Sequence, residues 1–273
     1  YLQTAGIADY WQMTFLFLGV LVVLCNIGLM FVPETGTAER AESQRAAQDT
    51  MAGKMGGQGP VVQLFSFVVT TVLDPLLSFF RKNGLQIGVM ILAFIFLFKI
   101  GEAFMGKMSI VFYKEVGFSK SDIAIYSKGL GWITTVTFTL IGGFFALRAG
   151  VVRALLISGI AMAGTNILFS VLAWVGPNEL LFAFAVVADD LAAAFATVAF
   201  VTFISLLVDR NYTATQYALL ASIGTLGRTL LASSSGALVD GLDGDWGLFF
   251  ILTAIMVIPS LLLLWKLRNK LHN

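Results

Sequence analysis

One histidine, one cysteine, five prolines and a 12% share of charged residues set this chain apart by what it lacks. The sole histidine, His272, stands beside the C-terminal residue, which excludes histidine-based metal sites and His-Ser or His-Cys catalytic pairs within the chain. Cys25 has no second thiol to meet, so no intrachain disulfide can form. There is no basic block to suggest nucleic acid and no opening secretory signal. The sequence starts at Tyr1 without Met, from which an upstream portion is expected. Soluble proteins carry about 25% charged residues; here charge is scarce, 58% of residues are hydrophobic and the mean hydropathy is +0.88. That composition is expected of an all-α polytopic membrane protein.

What is present divides into apolar runs of spanning length, which need about 20 residues each. The first, residues 11–32, is uncharged, with Tyr10 and Trp11 at its entry and Pro33 at its end. Residues 34–60 are rich in Gly, Ala, Gln and both charges and read as a flexible linker. Over residues 61–80 the polar positions Gln63, Ser66, Thr70, Asp74 and Ser78 recur every three or four residues, as on a helix lying in the membrane interface, with Asp74-Pro75 as an N-cap and N1 pair. Six more spans follow at residues 85–106, 122–147, 153–175, 180–208, 213–239 and 246–267, joined by short loops that make neighbours antiparallel. Lys and Arg number eleven on one side and four, Lys107, Lys114, Lys120 and Lys128, on the other. The positive-inside rule then places the C-terminus in the cytoplasm. GFFALRAG (residues 143–150) and GALVDG (236–241) end spans three apart, a weak inverted repeat of the kind found inside a six-helix transporter half.

The informative residues are the charges inside these runs. Asp189 and Asp190 sit near the middle of residues 180–207, where one acid costs roughly 2.5–3.5 kcal/mol and must find water, a cation or a proton. Lys99 and Glu102 share a helix face at i and i+3. Lys99 and Arg228 each lie roughly 21 Å from the cytoplasmic end of their spans and Asp189 roughly 14 Å from the outer end of its own, so all three can meet at mid-membrane. A purely structural role, with Lys99 and Glu102 neutralising each other and the aspartates fixing packing, is the competing reading. Deep charge falls on the first, fourth and fifth of the six later spans and is missing from the third and sixth, a separation similar to that of a major facilitator half, whose first, second, fourth and fifth helices line the cavity while the third and sixth face lipid. Ala188, Ala192, Ala196 and Ala199 read as a close-packing face, Asn166 as a packing or water contact, residues 233–236 as a close helix approach, and the Phe-rich stretches as lipid-facing bulk.

Lys99-Ile-Gly-Glu102-Ala-Phe, then Tyr113-Lys-Glu-Val-Gly117-Phe118-Ser, then Ser127-Lys128-Gly-Leu-Gly131 resemble the start of the C-terminal half of AmpG-type muropeptide permeases. Arg153-Ala-Leu-Leu-Ile, the acid at Asp189, Thr213-Ala-Thr215-Gln216-Tyr217 running to Gly227-Arg228, and residues 236–250 extend the likeness in order over nearly all of residues 11–267. Two departures stand out: a second acid, Asp190, where the family has Asn, and Leu147 where major facilitators usually carry an acid. The resemblance implies a major facilitator fold and proton-driven import of anhydromuropeptides across the bacterial inner membrane. It implies substrate contacts at Lys99, Arg228, Gln216 and Lys128 and no cofactor or metal; proton coupling is expected at the buried carboxylates Asp189 and Glu102, with the extra acid Asp190 beside them. It also implies residues 1–33 as the last helix of an N-terminal half that lies upstream, residues 34–84 as a cytoplasmic linker with an interfacial helix, and residues 85–273 as the six-helix C-terminal half. The expected partners are the lipid bilayer, an anionic muropeptide-like substrate, protons and that N-terminal half. An acetyl-coenzyme A or other acyl-carrier permease is similar over the same motifs. A membrane-embedded acyl- or glycosyltransferase and a non-transporting membrane segment are the readings from other classes.

Overall fold

The structure, a computed structural model, describes residues 7–31, 69, 73–209 and 212–268. The expected linker, most of the polar stripe that follows it, and His272 lie outside the described residues. The chain divides into two units, Tyr1–Thr70 and Thr71–Asn273. In the first, the helix α1 (Ile7–Met30) covers most of the first expected span, and its apolar stretch Gln12–Gly28, exposed along its length, is shorter than the spans of the second unit.

The regular elements among the described residues of the second unit are all helices. Its elements are α2 (Asp74–Asn83), α3 (Leu85–Leu97), α4 (Ile100–Val116), α5 (Lys120–Ala149), α6 (Val151–Val175), α7 (Glu179–Leu207), α8 (Thr213–Ser233), α9 (Ser235–Gly241) and α10 (Trp246–Arg268). Within α5 the stretch Ile123–Leu130 is wound as a π-helix, entered through a capping box between Ser119 and Asp122. Among the described residues five rods are long and apolar enough to cross a membrane: Leu85–Val116 (α3 and α4 together), α5, α6, α7 and α10. The span expected over residues 213–239 is instead two helices parted at Ser234, and the Thr, Ser, Gln and Arg residues of α8 lower its apolarity below that of the other five. Helix α2 starts on Asp74 itself, with Leu73 at the cap position and Pro75 in the first turn, so Asp74 is not the capping residue expected.

Packing sorts the side chains into layers. One apolar cluster joins Ile91 and Phe94 of α3, and Phe98 just past its end, to Leu155 of α6, Phe200 and Phe203 of α7 and Leu264 of α10. A second joins Phe104 and Phe112 of α4 to Phe169 of α6, Phe182 of α7 and Phe249 and Phe250 of α10. Seven phenylalanine rings are fully buried core material, contrary to the lipid-facing reading, whereas Phe15, Phe17, Phe31, Phe144 and Phe184 are exposed in keeping with it. Most of the rings meet edge-on or tilted, as at Phe112–Phe250 with centroids 4.7 Å apart, while Phe98–Phe200 and Phe118–Phe182 stack. Ala192, Ala196 and Ala199 are buried as the close-packing face predicts. Helices α6 and α10, expected to be peripheral, pack on each other along their length and are 50% and 44% buried, whereas α5 is the most open at 22%. Ser170 Oγ of α6 donates across this seam to the Gly247 carbonyl of α10 at 2.8 Å, so the two helices are packed together and not exposed to lipid alone.

Candidate functional site

Between the two apolar layers lies a polar one. Along each helix the deep polar residues fall between the two clusters or at the edge of the second: Lys99 and Glu102, Thr134, Thr165 and Asn166, Asp189 and Asp190, Arg228, and Thr253. In hydrocarbon such groups must satisfy one another or line a wet cavity.

Its centre is an interruption of the first rod. Lys99 leaves helical geometry (φ −96°, ψ 17°) and separates α3 from α4. Gly227 of α8 presses against this break, since a Cβ there would stand 2.2 Å from the carbonyl oxygen of Phe96. No side chain fits that approach, and it brings the next residue, Arg228, toward the break. Lys99 then lies at the C-terminal end of α3 and Glu102 in the first turn of α4, each charge complementing the helix end it occupies. Lys99 Nζ is 2.8 Å from Glu102 Oε2 and donates to Thr197 Oγ1 of α7 at 2.7 Å. The Arg228 guanidinium stands 3.8 Å from Glu102 Oε1. The lysine and glutamate side chains are 13% and 19% exposed, the arginine 51%. One carboxylate thus serves two cations from two sides of a helix break. Beyond Arg228 a groove of about 410 Å³ opens between α4 and α8, lined by Lys107, Thr225, Thr229 and Ser233 besides the arginine.

The aspartates do not join this cluster. Asp189 Oδ1 accepts from Thr165 Oγ1 of α6 at 2.9 Å, and Asp190 Oδ2 accepts from Thr134 Oγ1 of α5 at 2.5 Å. Adjacent helix positions point about 100° apart, so the pair is splayed between two neighbouring helices. Asn166, next to Thr165, is buried with an Nδ2 that has no partner among the described residues, and it lies 3.1 Å from where a Cβ on Gly101 would stand. Gln216 is placed at the far end of α8: buried, it donates to the Pro75 carbonyl at 2.8 Å and accepts from the Asp209 backbone N–H at 2.5 Å, tying α2 to the α7–α8 turn. Lys128 is exposed on the π-helical stretch of α5. Of the seven residues singled out by sequence, the structure therefore gathers Lys99, Glu102 and Arg228. The groove residue missed was Lys107: the expected span stops at Gly106, whereas the helix runs on to Val116.

No protein-family model matches the chain. It is similar to the putative transporter AmpG 4 of Rickettsia conorii (30% identical over 262 residues, 96% of this chain and 58% of the relative). The anhydromuropeptide permease of Escherichia coli K12 is 28% identical over 263 residues, again 96% of this chain but 48% of the relative. The putative transporter AmpG 1 of Rickettsia bellii is 29% identical over 210 residues, 77% of this chain and 49% of the relative. The chain spans about half the length of the curated relatives it matches. Over nearly its whole length, as its motifs imply, this chain is a relative of the AmpG-type permeases.

Proposed function

We propose that the chain forms the C-terminal half of a proton-coupled importer that carries anhydromuropeptides across the bacterial inner membrane by alternating access, with its C-terminus in the cytoplasm. The observation that carries this reading is the cluster of Lys99, Glu102 and Arg228 at an interrupted helix beside a polar groove. Interrupted helices with charge at mid-membrane are where transporters hold cargo and coupling ions. The relatives named permease and transporter supply the substrate class.

The charges suggest how coupling works. Glu102 and an anionic cargo compete for the same two cations. A proton on Glu102 weakens its hold on Lys99 and Arg228, which then turn to the cargo carboxylates through charge-assisted hydrogen bonds. Loss of that proton restores the internal ion pairs and lowers affinity for cargo on the other side. Asp189 and Asp190, held by hydroxyls on α6 and α5, are the second place where the proton can rest.

Uptake of labelled anhydromuropeptide into membrane vesicles carrying the full-length protein tests the proposal. In the double variant Glu102→Gln with Asp189→Asn, uptake is expected to lose its dependence on the proton gradient; gradient-driven uptake at the normal rate would remove both residues from coupling. Coenzyme A esters are expected not to compete, and strong competition would favour an acyl-carrier permease.

A further inference from the structure

The groove between α4 and α8 holds a cation that the ion-pair cluster does not use. Lys107 lies two helical turns beyond Lys99 and has no carboxylate within 4 Å among the described residues. The charged side chains that line the groove are two cations, Arg228 and Lys107, with no carboxylate among its lining. A groove whose charged lining is cationic attracts an anionic ligand.

The wall between the two groove cations has its own polarity. Thr225, Thr229 and Ser233 follow one another at four-residue intervals on α8, about 5–6 Å per step. Each hydroxyl donates to a carbonyl of its own helix: Thr225 to Ala221 at 3.0 Å, Thr229 to Thr225 at 2.9 Å and Ser233 to Leu230 at 2.6 Å. A hydroxyl has one proton to give and two lone pairs. With the proton turned inward, all three offer acceptors to a ligand. The groove thus presents donors with positive charge at Arg228 and Lys107 and a row of acceptors along one wall.

We propose that Lys107 is a second anion contact and that this groove takes a peptide segment with two carboxylates, one for Arg228 and one for Lys107, whose amide N–H groups donate to Thr225, Thr229 and Ser233. This rests on the transport reading and narrows it to the peptide portion of the cargo. A lysine that merely stretches toward the membrane surface would be indifferent to the ligand's charge.

The experiment compares uptake of two anhydromuropeptide probes by vesicles with the full-length protein, one with both peptide carboxylates free and one with a single carboxylate amidated. Lys107→Gln is expected to raise KM for the diacid roughly tenfold, as loss of one charged hydrogen bond implies, with kcat unchanged. The same variant is expected to leave KM for the amidated probe within about twofold, and Lys107→Arg to restore the diacid. Equal effects on both probes, or none on either, would overturn the proposal while leaving transport intact. Failure of the unmutated protein to import either probe would overturn the transport reading as well. Membrane abundance and thermal unfolding of each variant separate these outcomes from misfolding.

Discussion

At the scale of the residue, Glu102 binds two cations of different standing. Lys99 is nearly buried, close to the carboxylate and bonded also to Thr197, whereas Arg228 is half exposed and 3.8 Å away. Breaking a buried ion pair from one side costs about 3–5 kcal/mol, while an exposed, long pair is worth about 0–1 kcal/mol. Lys99→Met is therefore expected to lower the midpoint of thermal unfolding in detergent far more than Arg228→Met, although both impair transport; equal shifts would contradict the geometry. Much of this was legible in the sequence. The i, i+3 spacing of Lys99 and Glu102 forecasts their contact, and depth arithmetic brings Arg228 near them. The destination of Asp189 was not legible, because the threonines that hold it and Asp190 are unremarkable in an apolar run. Gln216 likewise carries no sign that both ends of its amide are taken up by backbone groups. Gln216→Ala strands the Pro75 carbonyl and the Asp209 N–H, at about 1–3 kcal/mol for each group left unsatisfied, and is expected to hasten proteolytic cleavage in α2.

At the scale of the element, the interruption between α3 and α4 has no local cause. Neither Gly nor Pro occurs at residues 98–99, and the rod reads as one continuous span. The cause is tertiary: the backbone of α8 at Gly227 presses on the carbonyl of Phe96. Gly227→Ala forces these helices apart, and overpacking of this kind costs about 1–3 kcal/mol. Gly164→Ala, with nothing within 4 Å of the added methyl, is the control and is expected to be neutral or slightly stabilising. Thermal unfolding of the two variants decides; similar values would mean that α8 does not set the break. The π-helical stretch of α5 was equally hidden, since no residue type in Ile123–Leu130 marks i→i+5 winding. Helix positions, by contrast, were largely forecast, with end points within a few residues outside α4 and the α8–α9 division, because apolar length is the main signal for spanning helices.

At the scale of the whole molecule, the Thr71–Asn273 unit is stratified into aromatic core, polar layer and aromatic core. This order was only half visible: the sequence marks the polar layer through its charges, but attributes the phenylalanines to lipid contact because hydrophobicity alone cannot separate core from bilayer-facing surface. Stratification predicts unequal opening. Amides of α6 and α10, packed on each other, are expected to be the slowest to exchange with solvent deuterium and those of the open α5 the fastest; uniform exchange over all three would count against it.

The splayed aspartates of α7 have a mechanical result. Asp189 is tethered toward α6 and Asp190 toward α5 at the same level, so α7 is gripped from two sides like a shaft between two bearings. Swivelling it either way stretches one tether, which leaves rigid travel of all three helices together as the motion of least resistance. Removing one tether frees the swivel in a single sense, and a spin-label pair across α5 and α7 would register it as a broadened distance distribution.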